Sequence, residues 1–411
     1  MSNNSLLIIG FIWPEPKSSA AGSRMLQLIL EFQKQGYKIT FSTTAKKSKN
    51  AFNLQSISVD VKSIELNSSS FDDFIKVLQP NIVLFDRFMT EEQFGWRVAE
   101  HCPNAVRILD TEDFHGLRKG RAEALKNKEV FSIKHLHNDT TKREVASIYR
   151  SDLSLIISEA EIDILVNDLG VKEELLYYLP FLLHPTSDED ALSLPSFENR
   201  QHFITIGNFL HPPNFDSVLY LKNEIWPQIR KALPSTQLHI YGSYESQKVT
   251  QLHNEKDGFL VKGFTDSVDE VMQTARVCLA PLRFGAGLKG KLIDAMQNGT
   301  PCVMTSIAVE GMFASYNANG LVSDEPYDFA NKAVTLYNDC SQFSTFQNNG
   351  FIILKERFNV NRFSAKFSNK IHNILQNFQQ YRQRNFTGQL LMHQSLQSTK
   401  YMSKWIEAKN K

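Results

Sequence analysis

Residues 277–312 combine the features that suit a phosphate-binding site. An apolar run from Val277 to Leu282 precedes a loop that contains Gly285 and Gly287. An apolar run of this length is typical of a buried parallel strand. A helical pattern begins near Leu288, so a helix N-terminus lies beside the loop, where backbone N–H groups and the helix dipole favour anions. The sequence therefore predicts a strand, a phosphate-binding loop and a helix in succession.

Charged side chains follow the glycines on this predicted helix. With Gly287 as its cap, Lys291 and Asp294 share one face of the helix, whereas its apolar residues lie on the other. A surface pair at their spacing is worth only about 0.2–0.5 kcal/mol, so an ion pair alone explains little. Lys289, Lys291 and Arg283 are the cations nearest to the loop. They are candidates to offset the charge of a bound phosphate.

A second ionisable cluster follows the predicted strand from Ala105 to Leu109. The cluster reads Asp110-Thr111-Glu112-Asp113-Phe114-His115. Ionisable groups at the carboxyl end of a buried strand are placed for chemistry. The alternative is a capping and ion-pair network in which Asp110 or Asp113 holds Arg118. Further along, Ser158 and Glu161 have the spacing of a capping box, which predicts a structural role for both.

Composition narrows the class of protein. The chain has 411 residues, 42% hydrophobic and 22% charged, which fits a soluble protein of two domains. A net charge of +1 gives no electrostatic case for nucleic acid. The four cysteines have no metal-binding spacing, which favours reduced thiols in a cytoplasmic protein. The N-terminus has no basic region typical of a signal peptide, and no apolar run reaches the ~20 residues of a membrane span.

Predicted strands alternate with helix-length segments along most of the chain, which indicates two α/β domains with doubly wound parallel sheets. We expect the first domain at residues 1–185, a polar linker at 186–200 and the second domain at 201–358. A helix at 359–378 closes the fold. The polar segment 379–411 is either an amphipathic appendage or disordered.

Two further segments are candidate contact sites. The loop from Pro14 to Gly22 joins the first strand to the first helix, a position where loops usually face a ligand. A plain connector is the alternative. Leu117–Lys134 is locally basic, which leaves open a peripheral contact with the inner membrane face. A solvated helix face is the alternative there.

Residues 277–312 also resemble the signature region of the retaining family-4 glycosyltransferases, two-domain enzymes of the GT-B fold. That family has a glycine-rich loop, a helix with an acid-Ala-Met triplet and then Gly-x-Pro-Val. Asp294-Ala295-Met296 and Gly299-Thr300-Pro301-Cys302-Val303 match this pattern. The resemblance extends over roughly residues 5–378. It implies two Rossmann-like domains that face each other across a cleft, with the helix at 359–378 returning to the first domain.

The resemblance implies a glycosyltransferase of the hexosyltransferase type. A sugar would pass with retention from a nucleotide-diphosphate sugar to a glycan or lipid-linked acceptor, in the synthesis of cell-surface polysaccharide or glycoconjugates. The second domain would bind the donor and the first the acceptor. The predicted donor site has no Asp-x-Asp metal motif, so we expect neither metal nor cofactor. Alternatives are an inactive nucleotide-sugar-binding protein and a nucleotide-sugar epimerase or dehydrogenase.

The resemblance also assigns roles to residues. Asp294 takes the place of the acid that binds the donor ribose, and His115 lies where a residue faces the donor sugar. Together with Lys291 they are the predicted catalytic residues. The predicted donor-binding residues are Gly22, Arg24, Gly207, Asn208, Gly263, Phe264, Arg283, Gly285, Ala286, Gly287, Leu288, Lys289 and Asp294.

Two departures from the family pattern matter. Ala286 stands where the family normally has the acid that contacts the donor sugar. Either the backbone N–H groups of Gly285–Leu288 hold the sugar and phosphate oxygens without it, or catalysis is lost. The segment that begins at Gly207 and Asn208 lacks the usual Arg and Lys that grip the diphosphate. The cationic grip must then come from elsewhere in the chain.

Overall fold

The computed structural model describes residues 4–185 and 187–410. Some residues of the predicted segments lie outside the described residues. They are residues 1–3 of the first domain, Thr186 at the start of the linker and Lys411 at the end of the tail.

The N-terminal domain is built on a parallel seven-stranded sheet with the order β3-β2-β1-β4-β5-β6-β7. Its strands are β1 Ser5–Gly10, β2 Lys38–Thr43, β3 Asp60–Ser63, β4 Ile82–Asp86, β5 Val106–Asp110, β6 Leu153–Ile156 and β7 Leu176–Tyr178. Its helices are α1 Ala20–Lys34, α2 Ser70–Leu78, α3 Arg87–His101, α4 His115–Lys126, α5 Asp139–Arg150 and α6 Glu159–Asp163, and a short helix, α7 Asp188–Ser193, follows.

The C-terminal domain has a parallel six-stranded sheet with the order β10-β9-β8-β11-β12-β13. Its strands are β8 Gln201–Ile206, β9 Leu238–Tyr241, β10 Phe259–Gly263, β11 Ala275–Ala280, β12 Cys302–Met304 and β13 Gly320–Val322. Its helices are α8 Pro212–Tyr220, α9 Trp226–Ala232, α10 Gln247–Thr250, α11 Val268–Thr274, α12 Gly290–Gln297, α13 Ser306–Val309, α14 Pro326–Asn338 and α15 Cys340–Ile353, and the chain ends with α16 Val360–Arg384 and α17 Phe386–Lys409.

Both sheets are doubly wound, as the sequence predicts. The order reverses beside β1 in the first sheet and beside β8 in the second, so a crevice opens at the carboxyl end of each reversal point. The central strands are buried on both faces, which explains their continuous apolar runs. The two crevices face each other, and this arrangement positions the site described below.

The C-terminal segment of the chain packs on the N-terminal domain. Phe367 of α16 lies edge-on to Phe32 of α1 with the ring centroids 5.4 Å apart, and Ile371 and Ile374 belong to the same core. The helix expected at 359–378 extends to Arg384, so the start of the polar tail belongs to α16 and most of the rest forms α17. Arg97 Nη2 of α3 donates to Ser403 Oγ of α17 (3.0 Å). No helix within the described residues is long and apolar enough to cross a membrane.

Several element limits differ from the expected ones. The first strand ends at Gly10, before Pro14 where the loop was expected to begin, and the helix expected from Leu288 begins at Gly290. The strand β13 and the helix α15 were not predicted from the sequence. β13 has only three residues, too few to show a periodicity. The long α15 has a weakly amphipathic, glycine- and serine-containing sequence that gives little helical signal.

Candidate active site

A cavity of about 970 Å³ lies between the two domains, at the carboxyl ends of the central strands of both sheets. Ten of the predicted site residues line it: Gly207, Asn208, Phe264, Gly285, Ala286, Leu288, Lys289, His115, Lys291 and Asp294. Five do not line it: Gly22, Arg24, Gly263, Arg283 and Gly287. The structure thus brings together residues from both halves of the chain at a position where open α/β sheets bind ligands.

The glycine loop after β11 lies against the N-terminal domain. Gly287 has a left-handed φ of +64°, and a Cβ there would lie 2.8 Å from Cβ of Asp113. Its N–H donates to the carboxylate of Glu161 in α6 (2.7 Å), so this amide is not directed at the cavity. At the start of α12, a Cβ on Gly290 would lie 2.6 Å from Cβ of Ala20. The N-termini of α1 and α12 therefore meet at the domain boundary.

Two buried lysines supply positive charge at the cavity wall. Lys289 Nζ donates to the carbonyl oxygens of Ala286 (3.1 Å) and Gly287. Lys291 Nζ has no hydrogen-bond partner among the described residues. Burial lowers the pKa of each lysine to about 8. A bound dianion would restore full protonation of both, because a nearby opposite charge favours the charged form.

Asp294 lies one turn further along α12 and also lines the cavity. Burial and the negative charge of Asp269 raise the pKa of its carboxyl group to about 7, although Lys291 acts in the opposite direction. Its carboxylate accepts no hydrogen bond within residues 4–185 and 187–410. A carboxylate whose oxygens accept no hydrogen bond from the protein can accept them from the hydroxyl groups of a ligand.

His115 begins α4, inside a charged network. Its Nδ1 lies 2.9 Å from the carbonyl oxygen of Asp113 and 3.5 Å from Oε1 of Glu144. Burial acts to lower the pKa of His115, but the carboxylates of Asp113 and Glu144 outweigh it and raise the pKa. Asp113 also pairs with Arg118, the ion pair that the alternative interpretation predicted. His115 belongs to that network and lines the cavity as well.

Two contacts across the domain boundary were not predicted from the sequence. Glu161 accepts hydrogen bonds from the N–H groups of Phe114 and Gly287, both at 2.7 Å. The capping-box role predicted for Glu161 is therefore wrong, because its carboxylate joins the two domains instead. Arg121 donates to Gly285 O (2.9 Å) and forms a bidentate pair with Glu310 (2.8 and 2.6 Å). Sequence spacing cannot reveal either contact, since the partners are 126 to 189 residues apart.

Arg24 does not reach the cavity. It is 1% exposed, and its guanidinium binds Asp110 (Nε–Oδ1 3.0 Å, Nη2–Oδ1 2.8 Å) and the carbonyl oxygen of Leu179 (2.7 Å). The predicted contact of Arg24 with a diphosphate is therefore corrected to a structural role. Asp110 is fully buried by the same pairing and is also absent from the cavity wall.

The other residues outside the cavity wall have local partners. Arg283 forms a bidentate pair with Asp216 (Nε–Oδ2 2.9 Å) on the protein surface, which corrects its predicted role as a phosphate ligand. A Cβ on Gly22 would lie 2.4 Å from the backbone of Glu15, so this glycine lets the loop pack on α1. Gly263 has a left-handed φ of +74°, and its carbonyl oxygen accepts from Gly242 N–H (2.9 Å).

Two sequence comparisons find related proteins. Residues 200–339 match the family model described as glycosyl transferases group 1. A protein of Klebsiella pneumoniae described as an uncharacterized 44.6 kDa protein in the cps region is 25% identical over 170 residues. That alignment covers 39% of this chain and 44% of the relative, so the chain matches less than half of the relative's length.

Solved structures resemble almost the whole chain. The sucrose-phosphate synthase of Thermosynechococcus elongatus is 15% identical, with a TM-score of 0.65 over 90% of this chain and 99% of that chain. Anabaena HepE in complex with UDP and glucose is 14% identical, with a TM-score of 0.66 over 89% and 99%. The pneumococcal O-GlcNAc transferase GtfA in complex with UDP and GlcNAc is 13% identical, with a TM-score of 0.66 over 91% and 100%.

These likenesses establish the fold. The chain has the GT-B architecture, two Rossmann-like domains that face each other across a cleft, as the sequence predicts. Its second domain carries the sequence pattern of the glycosyl transferases group 1.

Proposed function

We propose that the protein is a retaining, metal-independent glycosyltransferase of family 4. A hexosyl group would pass from a nucleotide-diphosphate sugar in the cavity to a glycan or lipid-linked acceptor, in the synthesis of cell-surface polysaccharide or glycoconjugates. The observation that carries this proposal is the cationic wall of the cavity. Lys289 and Lys291 lie at the N-terminus of α12 beside the glycine loop, with Asp294 one turn away.

This wall supports the departure of a diphosphate. Two buried ammonium groups next to a helix N-terminus stabilise the negative charge that develops on a leaving phosphate. The segment after β8 lacks the Arg and Lys of the family pattern. Lys289 and Lys291, from α12 and the loop before it, would supply the positive charge instead. Neither a metal ion nor a protein base is then needed in front-face transfer with retention, in which the leaving phosphate takes the acceptor proton.

Asp294 and Phe264 would hold the nucleoside part of the donor. The carboxylate of Asp294 would accept hydrogen bonds from the ribose hydroxyls. Phe264 follows β10 at the cavity wall and is 41% exposed, so its ring offers a face to a nucleobase. The relative in a cps region and the neighbours crystallised with UDP support a nucleotide-sugar donor and a role in polysaccharide synthesis.

Ala286 is the observation that favours the second candidate, a nucleotide-sugar-binding protein without transferase activity. Its side chain joins the apolar core of the first domain and replaces the acid of the family pattern. The amide of Gly287 is held by Glu161, so the amides of Gly285, Ala286 and Leu288 remain as loop N–H groups for the donor sugar. Transfer by the wild type separates the two candidates.

Thermal-shift screening against a panel of UDP- and GDP-sugars, followed by a transfer assay, tests the proposal. One donor should raise the melting temperature by mass action, and Asp294→Ala should weaken this shift because ribose contacts are lost. Transfer should persist in EDTA. Asp328→Ala, which removes an exposed carboxylate of α14 paired with Lys332, is the matched control and should keep the donor shift. Donor binding without turnover in the wild type would favour the second candidate.

The pH dependence of kcat/KM for the donor should be a narrow bell. Asp294 must be ionised, so activity should rise as the pH passes about 7. Lys289 and Lys291 must be protonated, so activity should fall as the pH passes about 8. The measurement is a rate profile from pH 5.5 to 9.5 with and without Asp294→Asn. If the rise in activity on the acid side persists unchanged in this variant, Asp294 is not the group whose ionisation causes it.

A further inference from the structure

Two charged residues on the N-terminal side of the cavity have left-handed backbone conformations. Arg87 follows β4 with φ +70°, and Glu112 follows β5 with φ +64°. Residues other than glycine rarely adopt this region, and for long side chains it carries a conformational cost. Such strain persists where the surrounding structure enforces it, often at ligand sites. Both residues line the cavity.

The two side chains lie next to each other in the fold. β4 and β5 pair in parallel with Asp86 opposite Asp110, so Arg87 and Glu112 extend from neighbouring strand ends. Each left-handed turn directs a charged side chain to the cavity wall. The sequence placed Glu112 in an ionisable cluster but gave neither Glu112 nor Arg87 a role in the site, because φ cannot be read from residue type at these positions.

Neither side chain has its hydrogen bonds satisfied in the part of the chain that the structure describes. Glu112 is 9% exposed, and its carboxylate has no hydrogen-bond partner. Arg87 approaches only Asp86, with Nε 3.7 Å from Oδ1, a distance beyond a hydrogen bond. Its guanidinium lies over the ring of Phe11, 5.3 Å from the centroid. Both residues line the cavity, so the hydrogen-bonding groups of both side chains are available to a polar ligand there.

The neighbouring charges identify the kind of ligand. Asp110 pairs with Arg24, and burial together with the carboxylates of Asp110 and Asp86 raises the pKa of Glu112 although Arg87 and Arg24 act in the opposite direction. A further anion is therefore disfavoured here, in contrast to the lysine side of the cavity. A neutral polyol offers both acceptor oxygens for a guanidinium and hydroxyl donors for a carboxylate.

We propose that Arg87 and Glu112 form an acceptor subsite that binds adjacent hydroxyl groups of a neutral sugar ring. Arg87 donates to the hydroxyl oxygens and Glu112 accepts from the hydroxyl hydrogens, while Phe11 holds the guanidinium in place. The ligand faces the lysine wall across the cavity, as an acceptor must face a donor. This inference rests on the proposed function and names the chemical class of its acceptor.

The test measures nucleotide release from the donor with and without a panel of methyl glycosides, each with its matched deoxy derivatives. We expect at least one glycoside with adjacent free hydroxyls to accelerate release. Glu112→Gln should raise the KM of that glycoside by about 10- to 100-fold, because one acceptor oxygen of the side chain is replaced by an N–H donor. The KM of the donor should change less than twofold. Arg87→Asn, whose side chain tolerates a left-handed backbone, should raise the glycoside KM in the same range.

Glu92→Gln is the matched control, because it changes the same charge on α3, the helix that begins with Arg87. Glu92 pairs with Arg143 (Nε–Oε1 3.0 Å) and does not line the cavity. For a deoxy glycoside that lacks the recognised hydroxyl, Glu112→Gln should not raise the KM further. A merely structural role would raise the KM of the deoxy glycoside and of its parent alike.

The outcomes separate this proposal from the function on which it rests. Donor hydrolysis that no glycoside accelerates would overturn the acceptor subsite and leave the transferase proposal standing. A glycoside KM that responds equally to Glu112→Gln and Glu92→Gln would also overturn the subsite. No nucleotide release from any donor, with or without glycosides, would overturn the transferase proposal and this inference together.

Discussion

Replacing Lys291 with methionine should lower kcat/KM for the donor by about 10²- to 10³-fold, the usual effect of losing one preorganised donor to a developing charge. Of the two buried lysines at the cavity wall, Lys291 has no hydrogen-bond partner in the described residues, whereas Lys289 Nζ is held by two carbonyl oxygens of its own loop. The ammonium group of Lys291 is therefore free to bind a diphosphate directly, and Lys289 contributes mainly through its charge. Methionine keeps most of the length and apolar character of the side chain, so the fold should tolerate it.

Steady-state kinetics with the donor identified by thermal shift measures this effect. Lys231→Met is the matched control, because Lys231 lies in the last turn of α9 on the exposed surface of the same domain. The loss should appear in kcat as well as in donor affinity, because phosphate charge increases in the transition state. Kinetics unchanged by Lys291→Met, or changed equally by Lys231→Met, would contradict the role of Lys291.

The motif on α12 could be predicted from the sequence because it is local. The glycine loop, Lys291 and Asp294 lie within ten residues of one another, so helical spacing places them on one face without knowledge of the fold. The doubly wound sheets were also predictable, since buried parallel strands appear as apolar runs separated by helix-length segments.

The rest of the site depends on contacts between distant residues. Glu161 and Arg121 join the domains through partners far away in the chain, and the left-handed turns at Arg87 and Glu112 leave no trace in residue type. The resemblance placed Arg24 at the donor by its motif position. It could not show that Asp110 lies closer and takes up the guanidinium.

Arg24→Met should therefore destabilise the protein rather than weaken donor binding. It would leave the carboxylate of Asp110 buried at 0% exposure without its cation. Removing one member of a buried ion pair costs about 3–5 kcal/mol, since the remaining charge is neither hydrated nor neutralised. We expect a large drop in the melting temperature and in the urea midpoint of the N-terminal domain.

The double variant Arg24→Met/Asp110→Leu separates the structural role from a donor contact. Two apolar side chains of similar volume can replace a buried ion pair with little loss of stability, so the double variant should recover most of what Arg24→Met loses. Its donor KM should remain within about twofold of the wild type, because neither residue lines the cavity. A double variant that regains its stability but binds the donor at least tenfold more weakly would return Arg24 to the diphosphate site. A donor KM close to that of the wild type would instead leave the two lysines at the start of α12 as the source of the positive charge that binds the diphosphate.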